Sequence, residues 1–233
     1  MFLLIPWKID TTGVQNKRVP AANIGLIAAN LLLFLVGAYW PVDHSSSPLS
    51  VVLYGFSHAG LWHLVVNMWA LVVFGNPVNR RLGNGPYLAV YLGTILALGL
   101  VARFVIPQPV VGSSGAVFAV IGIAMILLPR GLLTLYLLAL LPLTFIIGLF
   151  ARPKRSMEWL VRWETRRLPM IWALVMVPLL FAWELAWLGW NWSTGAHLMG
   201  MACGAMAVAL LPTRITMPAH SLAGASYDFP STK

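Results

Sequence analysis

Apolar runs long enough to cross a bilayer recur along this chain, and they leave few folds open to it. A helical crossing of the hydrocarbon core takes roughly 17–25 predominantly apolar residues. Residues 21–40, 60–74, 87–106, 114–128, 170–190 and 194–211 meet or approach that length. Backbone N–H and C=O groups in lipid must pair within their own segment, so each run is expected to be a helix. Composition agrees: 60% of the 233 residues are hydrophobic and 9% are charged, whereas a soluble domain is about 25% charged. The expected fold is an all-α polytopic membrane protein, a six-transmembrane-helix bundle over residues 21–211. Residues 1–20 are expected to form a cytoplasmic segment on the membrane surface. Residues 212–233, polar and containing Pro218 and Pro230, are expected to form a loose cytoplasmic tail.

The formal net charge of +9 would raise nucleic-acid binding in a soluble protein. Here the positive charges are sorted by topology instead. With the N-terminus inside and six crossings, every Lys and Arg except Arg103 falls on the cytoplasmic side. That asymmetry is the positive-inside rule. Tryptophans 40, 62, 187, 190 and 192 then lie near the outer interface, and 7, 159, 163 and 172 near the inner one, as aromatic belts do. The single cysteine, Cys203, rules out an intrachain disulfide. It sits among small residues, where a packed side chain is a better reading than a nucleophile. The start of the chain, broken by Pro6, Lys8 and Asp10, does not read as a cleaved signal. The expected compartment is a prokaryotic inner membrane, with both termini cytoplasmic.

One stretch breaks the count. Residues 131–150 are apolar and long enough to span, but a crossing there would put the basic residues 152–167 outside. It would also invert the last span. Both conflicts disappear if an insert over 131–168 does not cross, with Pro142 and Gly148 breaking it into a re-entrant or interfacial piece. Within it, 159–167 alternates aromatic and basic residues and is expected to form an interfacial amphipathic helix.

Polar groups inside a membrane are costly and therefore functional candidates. Gly112-Ser113-Ser114-Gly115 opens the fourth run, and Ala196-His197-Leu198-Met199-Gly200 opens the sixth. The fourth span is short, so the loop over 107–112 is expected to dip into the membrane and line a wet cavity. Ser114 would then sit at a helix N-terminus, where its own N–H favours developing negative charge. The structural alternative is a serine that only caps the helix. Gly200 and Gly204 share the face of His197, and Gly115, Ala119 and Gly122 form a matching small-residue stripe. Contact between these stripes would bring a serine nucleophile to a histidine base. Phe118, one turn below Ser114, is expected against the imidazole. In the second span, His63 and Asn67 share a helix face and offer N–H donors of the kind an oxyanion hole needs. His58 is read as structural, tying the loop after Trp40 to the helix end.

These ordered motifs resemble the rhomboid intramembrane serine proteases: His58…His63…Asn67, then Gly112-Ser113-Ser114-Gly115, then Ala196-His197…Gly200…Gly204. Residues 67–83, through Phe74-Gly75 and Arg81-Leu82-Gly83, are similar to the family too, and the resemblance covers roughly 50–211. It implies a Ser–His dyad with Ser114 as nucleophile and His197 as general base and then acid. It implies an oxyanion hole of His63, Asn67 and the Ser114 N–H, and no metal or other cofactor. It implies single-pass membrane proteins as substrates, cut beside a locally unstable helix, with the bilayer as the other partner and no nucleic acid. The connection 41–56 is short for bacterial members and lacks a Trp-Arg pair, and the long insert is atypical.

Three other readings compete. A catalytically silent relative that binds membrane clients would be expected to lack the serine or the histidine, and both are present. A transporter would show internal repeats. A metal or haem site on His58, His63 and His197 lacks ligand spacing and any completing carboxylate or cysteine. Finally, Glu184 is the only acidic residue in an expected span. Counted from the helix ends it lies about 9 Å deep and His197 about 5 Å deep, at 1.5 Å per residue. It could orient His197 as a third member would, although a structural role near the wet rim is the favoured expectation.

Overall fold

The computed structural model describes residues 2–10, 18–129, 131–140, 161–170, 173–188 and 191–211. Pro142, Gly148 and the tail over 212–233 lie outside the described residues. Helix α1 is Ala21–Leu35. A short α2, Ser50–Leu53, runs into a 3-10 turn at Tyr54–Phe56. Helix α3, Leu61–Ala70, continues through a π turn at Leu71–Gly75 into α4, Asn76–Leu82. Gly83, at φ +87°, ends that rod, and α5, Asn84–Phe104, begins at once. Helix α6 is Ser114–Leu127, α7 is Ala173–Leu188 and α8 is Trp192–Leu210.

Three rods, Leu61–Leu82, Asn84–Phe104 and Trp192–Leu210, are long and apolar enough to cross a membrane. Helices α1 and α6 are apolar but shorter, at 15 and 14 residues. Six crossings were expected, and among the described residues three helices meet the length. Helix α6 is the core element. Its small and branched residues Gly115, Ala119, Val120, Gly122, Ile123 and Ala124 are all buried. The outer surface is apolar: Leu92, Leu96 and Leu100 form an exposed stripe along one face of α5. In water such a stripe would be a liability, whereas lipid solvates it.

The all-α expectation is corrected by a three-stranded antiparallel sheet in the order β1-β2-β3. Strand β1 is Phe2–Asp10, β2 is Leu132–Leu140 and β3 is Val161–Pro169. Phe2 pairs with Ala139 and Asp10 with Leu132, while Leu132 pairs with Pro169 and Leu140 with Val161. A uniformly apolar run such as 132–140 cannot be assigned to helix or strand by periodicity. Of the amphipathic helix expected over 159–167, the described residues 161–167 are strand for a legible reason. Val161, Trp163 and Thr165 alternate with Arg162, Glu164 and Arg166, which is a period of two. Pro6 lies on the edge strand beside a register shift, where its missing N–H is tolerated. Its carbonyl accepts the Trp69 indole N–H at 2.7 Å, which fastens β1 to α3. Residues 2–10 are thus a paired strand.

Candidate active site

The site is built where α6 begins. Gly112 sits at φ +115°, a left-handed conformation that a side chain would strain. Its N–H donates to the Tyr54 carbonyl at 2.9 Å. The neighbouring space is taken as well: a Cβ on Gly112 would fall 2.5 Å from His63 Cε1 and 2.9 Å from Nε2. The His63 imidazole therefore lies directly over the Gly112 backbone. Ser113 occupies the N-cap position but makes no side-chain cap bond. Its hydroxyl lies 3.3 Å from His58 Nε2 instead, with both residues buried. Ser114 is the first helical residue, so the simple capping role does not account for either serine.

His58 and His63 meet edge to face at 5.1 Å. They grip the Gly112–Ser113 pair from one end of the second span. Burial, helped by neighbouring His63 and opposed by the Phe56 backbone, pulls the His58 imidazole down to about 4. It is neutral at physiological pH and meets the Ser113 hydroxyl as a neutral ring. Beside His58, Ser57 Oγ accepts the Trp40 N–H at 2.8 Å and ties the loop after Trp40 to this end of the helix. Asn67 is 4% exposed, and its amide donates to the His63 carbonyl at 2.9 Å. An amide nitrogen carries two hydrogens, and this bond takes one.

Helices α6 and α8 pack through glycine. A Cβ on Gly200 would overlap the Gly115 carbonyl, and one on Gly204 would overlap that of Ala119. Gly122 returns the arrangement, with Met201 O only 3.0 Å from where its Cβ would be. Such backbone contact is what small-residue stripes permit. His197 stacks on Phe118 at 4.2 Å and 19°, and Phe118 meets Phe181 of α7 at 5.5 Å. Glu184 lies on α7, and its side chain is outside the described residues.

A cavity of about 350 Å³ opens at this end of the bundle. Ser114, Gly112 and Gly115 line it with the loop over 106–111, Leu98 and Ala102 of α5, and Asn191, Trp192, Ser193, Ala196 and Met199 around the start of α8. Its described lining includes no charged residue, and none of His63, Asn67 and His197. The loop is held by a two-way backbone bridge, with Val42 and Val110 exchanging N–H bonds of 2.9 Å. Arg103 donates to the Ser46 carbonyl and braces the loop between α1 and α2. The sequence reading missed Tyr54 and Asn191. Asn191 was findable: Asn-Trp-Ser-Thr is a helix-start pattern, and its side chain accepts the Thr194 N–H at 2.9 Å. Among the described residues no group of three or more His, Cys, Asp or Glu could hold a metal ion.

With this geometry in place, residues 45–214 match the model of the Rhomboid domain. The chain belongs to the rhomboid family. Its rhomboid relatives include the mitochondrial rhomboid protein 1 of Saccharomyces cerevisiae, 34% identical over 101 residues, or 40% of this chain and 29% of that one. The mitochondrial presenilin-associated rhomboid-like protein of Homo sapiens is 30% identical over 144 residues, 52% of this chain and 36% of that one. The rhomboid protease GluP of Bacillus subtilis is 41% identical over 66 residues, 28% of this chain and 13% of that one. The matched stretches thus span about a third or less of these relatives. The protein is an integral membrane protein of a family in which the Bacillus subtilis relative is named a protease.

Proposed function

We propose that this rhomboid chain is an intramembrane serine endopeptidase that cuts membrane-spanning protein substrates. The observation that carries the reading is the glycine contact of α6 with α8. It sets the helix that begins at Ser114 against the helix that carries His197, beside a cavity that Ser114 lines. In this reading the Ser114 hydroxyl attacks the scissile carbonyl while the His197 imidazole takes its proton. Stacking on Phe118 limits the ring's rotation. The oxyanion is met by the Ser114 N–H at the start of α6, where helix N–H groups lack internal partners. His63 and the second Asn67 N–H are the further donors. His197 then protonates the leaving amine, and a water activated by the same ring hydrolyses the acyl-enzyme. The uncharged cavity suits uncharged substrate side chains near the cut, as expected of single-pass transmembrane segments.

Topology is read as six crossings with the basic ends inside. Helices α1, α6 and α7 are roughly 21–24 Å long at 1.5 Å per residue, short of a core of about 30 Å. For α6, the dipping loop fills the difference. The insert over 131–168 is kept as non-crossing on the charge rule alone. Of the relatives named above, one is from the bacterium Bacillus subtilis and the yeast and human ones are named mitochondrial, so a prokaryotic inner membrane rests on the sequence reading alone.

The test is cleavage of a model transmembrane substrate in liposomes. Ser114→Ala and His197→Ala should each abolish it with the fold intact, since losing one member of a cooperating pair costs about as much as losing both. Asn67→Ala should cost less, about ten- to a thousandfold. Full activity in folded Ser114→Ala would overturn the reading. A wild type that binds substrates without cutting them would favour the client-binding alternative.

A further inference from the structure

The rod Leu61–Leu82 is not a single α-helix, because Leu71–Gly75 is a π turn. A π turn absorbs one residue more than an α-helical turn and so changes the phase between the two halves. On an unbroken α-helix Asn67 and Asn79 would point roughly 120° apart, at about 100° per residue. With one residue absorbed, the difference falls to roughly 20°. The face of α3 that carries Asn67 and the face of α4 that carries Asn79 are therefore aligned only by the π turn.

Asn23 of α1, fully buried, grips that turn from the side. Its amide donates to the Leu71 carbonyl at 2.8 Å and to Asn76 Oδ1 at 2.9 Å. Its backbone N–H donates to Asn79 Oδ1 at 3.0 Å, and its amide oxygen accepts the Tyr87 hydroxyl at 2.6 Å. The Leu71 carbonyl also accepts the N–H of Asn76, five residues on, which is the bond that defines a π register. Asn79 is tied in turn to Asn84 Oδ1 at 3.0 Å, so α4 cannot turn independently of α5. Gly75 supplies the room: a Cβ there would fall 2.5 Å from Asn23 Oδ1 and 2.7 Å from Tyr87 Oη. One side chain thus binds both ends of the π turn and the anchored helix below it.

We propose that Asn23, by holding the π turn, is a positioning residue that fixes the rotation at which α3 presents His63 to Gly112. Without it the turn relaxes to α-helical geometry, and the outer half rotates by about one residue step relative to α4. The kinetic consequence rests on the peptidase reading, whereas the rotation stands without it.

The test is nitroxide scanning of positions 64 to 67 in bilayers, in a Cys203→Ala background, read as oxygen accessibility. The native face pattern is sharp: Leu64 and Asn67 are 2% and 4% exposed, Val65 and Val66 43% and 47%. The wild type should therefore be low at 64 and 67 and high at 65 and 66. Asn23→Ala should move that pattern by one position. Deleting Val72 in the same variant removes the extra residue and should restore it. If Asn23→Ala does not fold, Asn23→Ser, whose hydroxyl is too short to bridge the turn, is read in the same way. In a substrate assay, Asn23→Ala should lose at least about tenfold in kcat with KM within about twofold, and the deletion should recover it. A residue that merely stabilises the bundle would lower the melting temperature and leave pattern and kcat alone. An unmoved pattern, or a deletion that does not restore it, overturns the proposal. A wild type without activity would instead count against the peptidase reading, and the labels would still decide the rotation.

Discussion

His58 carries the clearest pH signature outside the spans. Its imidazole is held near 4 by burial, against about 6.5 in an unfolded chain. The unfolded form therefore binds the proton more tightly. The contribution to stability is full above pH 6.5 and is lost as the pH falls through 6.5 towards 4. The expected outcome is a thermal midpoint that drops over that window in the wild type and drops less in His58→Gln. Equal slopes in the two proteins would show that His58 does not titrate with unfolding. The partner of His58 was not legible in the sequence, because the contact with Ser113 joins residues 55 positions apart. The requirement for glycine at 112 was legible only as a motif. Its cause, a left-handed backbone lying under the His63 ring, belongs to the folded chain.

At the scale of elements, the stripes of Gly200 and Gly204 and of Gly115, Ala119 and Gly122 could be read directly from their spacing. Spacings of three and four residues place side chains on one face of any helix. Bulk on that seam should separate α6 from α8. Gly204→Leu is expected to cost about 1–3 kcal/mol, the usual scale of overpacking, seen as a lower thermal midpoint. A larger fractional loss of cleavage than of folded protein should accompany it. Wild-type stability in Gly204→Leu would contradict the packing. The π turn was illegible because nothing in Leu-Val-Val-Phe-Gly distinguishes it from an α-helical turn, and its partner Asn23 comes from another helix. The sheet was missed for a different reason. The apolar run of β2 fits either period, while the alternation along β3 was present but was read as helical amphipathicity.

For the molecule as a whole, membrane character follows from apolar content, and rhomboid membership rests on a match over residues 45–214. What unites the parts is convergence on the start of α6. Helix α3 brings His63 and the turn before it His58, Val42 and Val110 bridge the loop that leads to Gly112, and α8 arrives through glycine. The central claim is that this convergence makes Ser114 a nucleophile. It is tested most directly by treating the purified protein in bilayers with a fluorophosphonate and mapping the adduct by mass spectrometry. The account predicts a single adduct on Ser114 in the wild type, abolished in Ser114→Ala and slowed at least about a hundredfold in His197→Ala. An unlabelled Ser114 in folded wild type, or labelling of folded His197→Ala at the wild-type rate, would contradict it.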